Sequence, residues 1–63
     1  MISRCIKTSS DDGSTGWIIF KSGFKDLYVI FEETGYETSE YWYHNKRYLL
    51  TEFPELESEI NQL

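Results

Sequence analysis

The first half of the chain alternates between short apolar runs and polar breaks, at a spacing typical of an antiparallel sheet. Apolar and polar residues alternate over about 2–8, and runs rich in β-branched and aromatic residues cover 16–21 and 26–32. The segments between these runs are rich in Gly, Ser and Asp. β-Branched and aromatic residues favour strands, whereas Gly, Ser and Asp favour turns. The pattern therefore predicts a strand at each of the three runs.

The same alternation predicts which side chains share a face, because successive residues of a strand point to opposite faces of the sheet. In the third strand, Leu27, Val29 and Phe31 point one way. Tyr28 and Ile30 point the other way. The second strand is apolar on both faces, which is typical of a central strand.

An aromatic region then flanks the dipeptide Asn45-Lys46, with apolar runs at 40–44 and 47–50. Asn tolerates the positive φ that the first position of a two-residue hairpin turn requires. We therefore predict a β-hairpin with strands over about 40–44 and 47–50. A helix through 41–50 is the alternative, because a short apolar run does not distinguish a strand from a buried helix.

The last segment changes to a helical period. Its apolar residues recur at spacings of three, four and three, namely Phe53, Leu56, Ile60 and Leu63. This stripe predicts a helix over about 53–62. Thr51 is a candidate N-cap, and Pro54 is tolerated in a first helical turn.

Taken together, these elements predict one small α+β domain over residues 1–63. We expect a small antiparallel sheet of three to five strands followed by one C-terminal amphipathic helix packed on it. A chain this short buries only about 60% of its unfolded surface, so self-association is a natural source of extra stability. A homodimer would use the C-terminal stripe, that is Phe53, Leu56, Ile60 and Leu63.

The charge of the chain, −5 at neutral pH, is concentrated in its second half. Residues 1–30 carry four basic and three acidic side chains, whereas residues 31–63 carry two basic and eight acidic ones. A negative field repels phosphate backbones, which disfavours nucleic acid as a partner. The favoured partner is a protein with a basic surface.

The apolar runs are far shorter than the roughly 20 residues that a membrane-spanning helix needs. The lone cysteine, Cys5, has no partner for an internal disulfide, and no apolar run follows the N-terminal basic residues as in a signal peptide. We therefore expect a cytoplasmic protein that does not bind membranes.

Few residues could carry catalysis. Cys5 and His44 are the single Cys and the single His, and a catalytic pair would require their strands to adjoin. One Cys and one His do not make a zinc site, no phosphate-binding glycine loop is present, and the segment 11–14 has turn chemistry rather than the spacing of a calcium loop. We predict a protein that is not an enzyme and has no metal or cofactor.

The surplus of aromatic residues in the second half predicts a binding site, because exposed Tyr, Trp and Arg are enriched at interface hot spots. Carboxylates on the following helix would steer the protein toward a basic partner. The candidate partner-binding residues are Tyr41, Trp42, Tyr43, Arg47, Tyr48, Glu52, Glu55, Glu57 and Glu59.

The resulting hypothesis is a small acidic, non-catalytic protein that binds a macromolecular partner and acts as an inhibitor or modulator. In size, acidity and lack of catalytic groups, the chain resembles small accessory proteins of bacteriophages and other mobile elements. Some of those proteins mimic the charge of DNA. The resemblance is one of character and assigns no residue roles.

Two alternatives remain. The stretch 23–31 resembles the aromatic strand pattern of cold-shock proteins, which implies an OB-type module that binds single-stranded nucleic acid. Its stacking platform would comprise Trp17, Phe20, Phe24 and Tyr28 with Lys21 and Lys25. The other alternative is a homo-oligomeric structural or assembly protein.

Overall fold

Four antiparallel strands pair in chain order to form a single sheet. The computed structural model describes residues 2–23 and 25–63, with the side chains of Ile2 and Ser3 outside the description. The strands are β1 (Ile2–Ser9), β2 (Gly16–Ser22), β3 (Tyr28–Glu33) and β4 (Thr38–Tyr43), in the order β1-β2-β3-β4. A helical region follows: α1 (Lys46–Glu52), a 3-10 turn (Pro54–Leu56) and α2 (Glu57–Ile60). The predicted α+β class is confirmed.

The first three predicted strands are confirmed to within two residues at each end, and β2 is central as expected. The predicted alternation in β3 is also confirmed, because Tyr28 and Ile30 are buried while Val29 and Phe31 are half-buried on the opposite face. The second face of β2 is apolar, as the sequence indicates, but its residues do not belong to the buried core.

The β1–β2 connection is a turn organised by Asp12. Its carboxylate accepts hydrogen bonds from the Ser10 hydroxyl (2.8 Å), the Ser14 amide (3.0 Å) and the Ser14 hydroxyl (2.8 Å). These bonds, led by the one from the Ser14 amide, lower the pKa of Asp12 to about 2. Gly13 supplies the positive φ of 75° that closes the turn. The acidic segment thus has the turn chemistry that the sequence indicates.

The predicted strand over 47–50 is wrong, whereas the strand predicted over 40–44 is confirmed as β4. The helical alternative over 41–50 is correct only in its second part, where α1 begins at Lys46. Asn45 is the N-cap of α1 rather than a hairpin residue: its φ of −154° is extended, and its side chain accepts a 2.7 Å hydrogen bond from the Arg47 amide. The helix buries Leu49 and half-buries Leu50. A strand would have pointed these two neighbours to opposite faces, whereas a helix lets both approach the core.

The helix predicted over about 53–62 is present in a shorter form, as the 3-10 turn 54–56 followed directly by α2 at 57–60. The chain breaks at Phe53 (φ −128°, ψ 63°), and Pro54 then opens the 3-10 turn. Proline disfavours the α conformation in the residue before it and lacks the N–H that a continuing helix would use. Thr51 is therefore not an N-cap: it lies inside α1, where its hydroxyl donates to the Arg47 carbonyl at 2.9 Å.

The buried core combines one face of the sheet with the helical region. Four of its residues come from β2 and β3 and four from the last third of the chain: Trp17, Ile19, Tyr28, Ile30, Leu49, Phe53, Leu56 and Ile60. Leu63 is half-buried and packs against this cluster. Of the predicted dimer stripe, Phe53, Leu56 and Ile60 are therefore buried in the chain's own core, and Leu63 packs at its margin.

A polar contact at the rim of the core secures its largest side chain. Trp17 and Glu32 are opposite each other on β2 and β3, and the indole Nε1 donates to the Glu32 carboxylate at 2.9 Å. A buried Trp usually needs such a partner, because an unsatisfied N–H inside a protein costs free energy.

We predict that Glu32→Ala lowers the free energy of unfolding by about 1–2 kcal/mol, because it leaves the Trp17 N–H without its acceptor. Urea unfolding followed by tryptophan fluorescence measures the change. Glu32→Gln is the matched control, since it keeps a side-chain carbonyl that can accept the bond, and it should lose less. Equal losses in the two variants would contradict this role.

We predict that Asn45→Ala destabilises the protein by about 1 kcal/mol, because it removes the side-chain acceptor that caps α1. Chemical unfolding followed by circular dichroism measures the loss. The matched control is Asn61→Ala, at an exposed position near the C-terminus, which should stay within about 0.5 kcal/mol of wild type. A neutral Asn45→Ala variant would argue against the cap.

Candidate functional site

The structure divides the aromatic residues of the predicted binding site between the two faces of β4. Tyr41 and Tyr43 lie on the face that carries the buried core, whereas Trp42 lies on the opposite face. β4 is an edge strand. The predicted residues therefore belong to two separate surfaces.

On the core side, Phe53 holds the two tyrosines in place. The ring centroid of Phe53 is 5.6 Å from that of Tyr41 and 6.2 Å from that of Tyr43, and both pairs are edge-to-face. Such geometry is favourable for aromatic rings. Tyr43 is half-buried, whereas Tyr41 keeps 37% of its surface exposed.

Glu52 lies within electrostatic reach of Tyr43. Burial raises the pKa of Tyr43, and the negative charge of Glu52 raises it further. Tyr48 precedes Glu52 by four residues in α1, so the two are neighbours on the helix surface, and Tyr48 is 66% exposed. We call Tyr41, Tyr43, Tyr48 and Glu52 the tyrosine–glutamate surface.

The charges of α1 run against the preference of a helix. Lys46 and Arg47 occupy its first turn and Glu52 its last residue, with no acidic residue in the first turn and no basic residue in the last. A helix favours the reverse arrangement, because its N-terminus is partially positive and its C-terminus partially negative. Helix stability therefore does not explain where these charges lie.

The other predicted carboxylates follow the break at Phe53. Glu55 lies in the 3-10 turn, and Glu57 and Glu59 lie in α2. Glu55 and Glu57 are exposed, and Glu59 is half-buried. They do not share one continuous helical face with Glu52, because the non-helical backbone of Phe53 separates α1 from the 3-10 turn and α2. Arg47 is exposed beside a shallow depression that Lys46, Leu50, Thr51 and Asn61 also line.

The face of the sheet opposite the core is apolar and is not part of the core. We call it the open face, and its two central rows comprise Cys5, Lys7, Ile18, Phe20, Val29, Phe31, Glu40 and Trp42. Trp42 is 58% exposed, and its indole N–H donates to the Glu40 carboxylate. Sequence reasoning missed this surface, because apolar residues on both sides of β2 and β3 indicate burial on both sides.

The predicted nucleic-acid platform is not assembled. Trp17 and Tyr28 are buried in the core, whereas Phe20 lies on the open face. Lys21 Nζ sits 5.6 Å from the Tyr28 ring centroid. Phe24 lies outside the described residues, and Lys25 is exposed in the β2–β3 connection.

Cys5 and His44 are on opposite sides of the sheet order. Cys5 lies on β1, and His44 directly follows β4. Three strand spacings separate these edges, a distance of about 14 Å. A Cys–His pair is therefore not formed. Among the residues described, no three of His, Cys, Asp and Glu come together as metal ligands would.

Comparison with known proteins gives no relative: no protein-family model matches the chain, and neither a curated protein nor a solved structure matches it. Within residues 2–23 and 25–63, no helix has the length and apolar character needed to cross a membrane.

The tyrosine–glutamate surface predicts a pH dependence. Because the pKa of Tyr43 is raised in the folded protein, the associated stability is complete below pH 10, the ordinary pKa, and is lost as the pH rises through the folded value. Glu52→Gln should lower the Tyr43 pKa toward its ordinary value. Ultraviolet titration of Tyr43→Phe and Glu52→Gln variants against wild type measures this. An unchanged titration in Glu52→Gln would contradict the proximity of the two groups.

Proposed function

We propose that this chain is a small acidic, non-catalytic binding protein that docks on a basic surface of a protein partner and thereby inhibits or modulates it. The observation that carries the proposal is the tyrosine–glutamate surface. Glu52 lies within electrostatic reach of Tyr43 and one helical turn from exposed Tyr48, and exposed Tyr41 packs on the same Phe53 ring as Tyr43. Tyrosine supplies contact area at low entropic cost, and a nearby carboxylate orients a cationic group of the partner.

Two further features support a basic partner. The second half of the chain carries eight acidic and two basic residues, so its field attracts cations over several ångströms. The reversed charges of α1 place Glu52 where it weakens the helix slightly, which is typical of a residue retained for binding. A partner whose basic surface normally holds nucleic acid would be inhibited by competition.

The proposal includes the helical region as an amphipathic layer over the core side of the sheet, with its polar side forming the binding surface. Buried Leu49, Phe53, Leu56 and Ile60 support the inner side of that layer. Exposed Tyr48, Glu55 and Glu57 support the outer side. The proposal assigns no catalysis, since Cys5 and His44 lie on opposite edges. No observation favours the nucleic-acid alternative, because two of its proposed stacking residues are buried.

The tyrosine contribution is tested with a pair of exposed tyrosines. We expect Tyr48→Ala to weaken capture of a protein partner from cell lysate at least tenfold, because about 1.4 kcal/mol of contact is lost at a hot spot. Tyr36→Ala is the matched control: Tyr36 is 99% exposed at the β3–β4 turn, away from α1. Quantitative mass spectrometry of tagged-protein pull-downs measures capture. Equal capture by the two variants would overturn the assigned surface.

The charge contribution is tested with two matched sets of four neutralised carboxylates. Changing Glu52, Glu55, Glu57 and Glu59 to Gln should reduce capture and flatten its dependence on salt, because steering by those charges is screened by ions. The control set, equal in charge, changes Asp11, Asp26, Glu33 and Glu37 to their amides. If the control set loses capture equally, only net charge matters and the assignment to the helical side fails.

A further inference from the structure

The open face carries, from β1 to β4, side chains of opposite charge at the two ends of one row and side chains of different size at the two ends of the other. The strand register aligns its side chains in two rows that run from β1 to β4. One row is Lys7, Ile18, Phe31 and Glu40. The other row is Cys5, Phe20, Val29 and Trp42.

The apolar centre of this face is preorganised. Ile18, Phe20, Val29 and Phe31 are half-buried by their neighbours, and the rings of Phe20 and Phe31 meet edge-to-face at 5.7 Å between centroids. Trp42 and Cys5 stand exposed at the two ends of their row. Burying large exposed apolar side chains against a partner is favourable, and Trp is among the residue types most enriched at interface hot spots.

From this pattern, we propose that the open face is a homodimer interface, in which two copies stack face to face about a two-fold axis parallel to the strands. Such an axis places β1 of one copy over β4 of the other, and it keeps each row over the same row. Lys7 then lies opposite the partner's Glu40, and Ile18 lies opposite the partner's Phe31. In the second row Cys5 lies opposite the partner's Trp42, and Phe20 lies opposite the partner's Val29.

Charge and size select a second copy as the occupant and select this axis. Each copy carries a net charge of −5 and repels another copy in general, but the two rows carry one cation and one anion and so balance. The small Cys5 faces the large Trp42, which gives the self-complementarity that an isologous interface requires. A two-fold axis perpendicular to the strands would instead place β1 over β1, leaving Lys7 and Glu40 each without an opposite charge.

This interface goes beyond the proposed function and is independent of it. The tyrosine–glutamate surface lies on the core side and the open face on the other, so each can be changed without the other. Variants at Lys7 and Glu40 test the dimer, whereas Tyr48→Ala tests partner capture.

The experiment measures the dimer dissociation constant by sedimentation velocity over a dilution series. It compares wild type with variants in which the charges of Lys7 and Glu40 are reversed singly and together. We expect a monomer–dimer equilibrium for wild type. Lys7→Glu and Glu40→Lys should each raise the dimer dissociation constant at least about tenfold, since each creates two symmetry-related like-charge pairs. The double variant Lys7→Glu/Glu40→Lys restores opposite charges and should return the dissociation constant to within about threefold of wild type.

Matched controls carry the same charge changes away from the open face: Lys25→Glu in the β2–β3 connection and Glu57→Lys in α2, both exposed. They should leave dimerisation unchanged. Far-UV circular dichroism confirms that each variant is folded, and alkylation of Cys5 with a bulky maleimide is a second probe that should dissociate the dimer. A wild type that stays monomeric up to the order of 1 mM overturns the proposal. So does a dimer that ignores Lys7→Glu, or one that the double variant fails to restore.

Discussion

Burial of one face of a single four-stranded sheet is the constraint on which the rest of this molecule depends. Trp17, Ile19, Tyr28 and Ile30 can leave water only by joining side chains from outside the sheet. The last third of the chain supplies them, in Leu49, Phe53, Leu56 and Ile60. These eight residues form one buried cluster, which accounts for a core on a single side of the sheet.

Phe53 links this core to the candidate binding surface. It is buried, it ends α1, and its ring contacts both Tyr41 and Tyr43. The break is enforced by Pro54, which opens the 3-10 turn, so the carboxylates of the 3-10 turn and α2 do not continue the helix that carries Glu52. Phe53 thus positions the tyrosines from the inside, and the break between Phe53 and Pro54 sets where the acidic segment begins.

The two faces of the sheet then have different roles in our interpretation. The core side presents tyrosines and carboxylates at its rim, which suits a cationic partner. The open side presents half-buried aliphatic and aromatic side chains between one lysine and one glutamate, which suits a second copy. A small protein that binds its target as a dimer would gain avidity from two tyrosine–glutamate surfaces.

Local chemistry made much of the fold predictable. The alternation in 2–8, 16–21 and 26–32 identified β1, β2 and β3, and the Asp12–Gly13 turn follows from residues that bond to their own backbone. The helical region was less accessible. Asn45 suits a tight hairpin and a helix N-cap equally well, and Leu49 and Leu50 satisfy either period, so only their common approach to the core selects a helix.

The candidate site shows the same division. Sequence alone determined its residue types, an acidic and tyrosine-rich second half, because composition and spacing fix charge and the alternation of Tyr41, Trp42 and Tyr43. Tertiary structure decided which of these residues share a surface, since that depends on the face the helical region covers and on the break at Pro54. It also decided that Phe20, Phe31 and Trp42 remain at the surface. An apolar sequence pattern indicates that a side chain favours burial, but long-range packing determines which face of the sheet is covered by other parts of the chain.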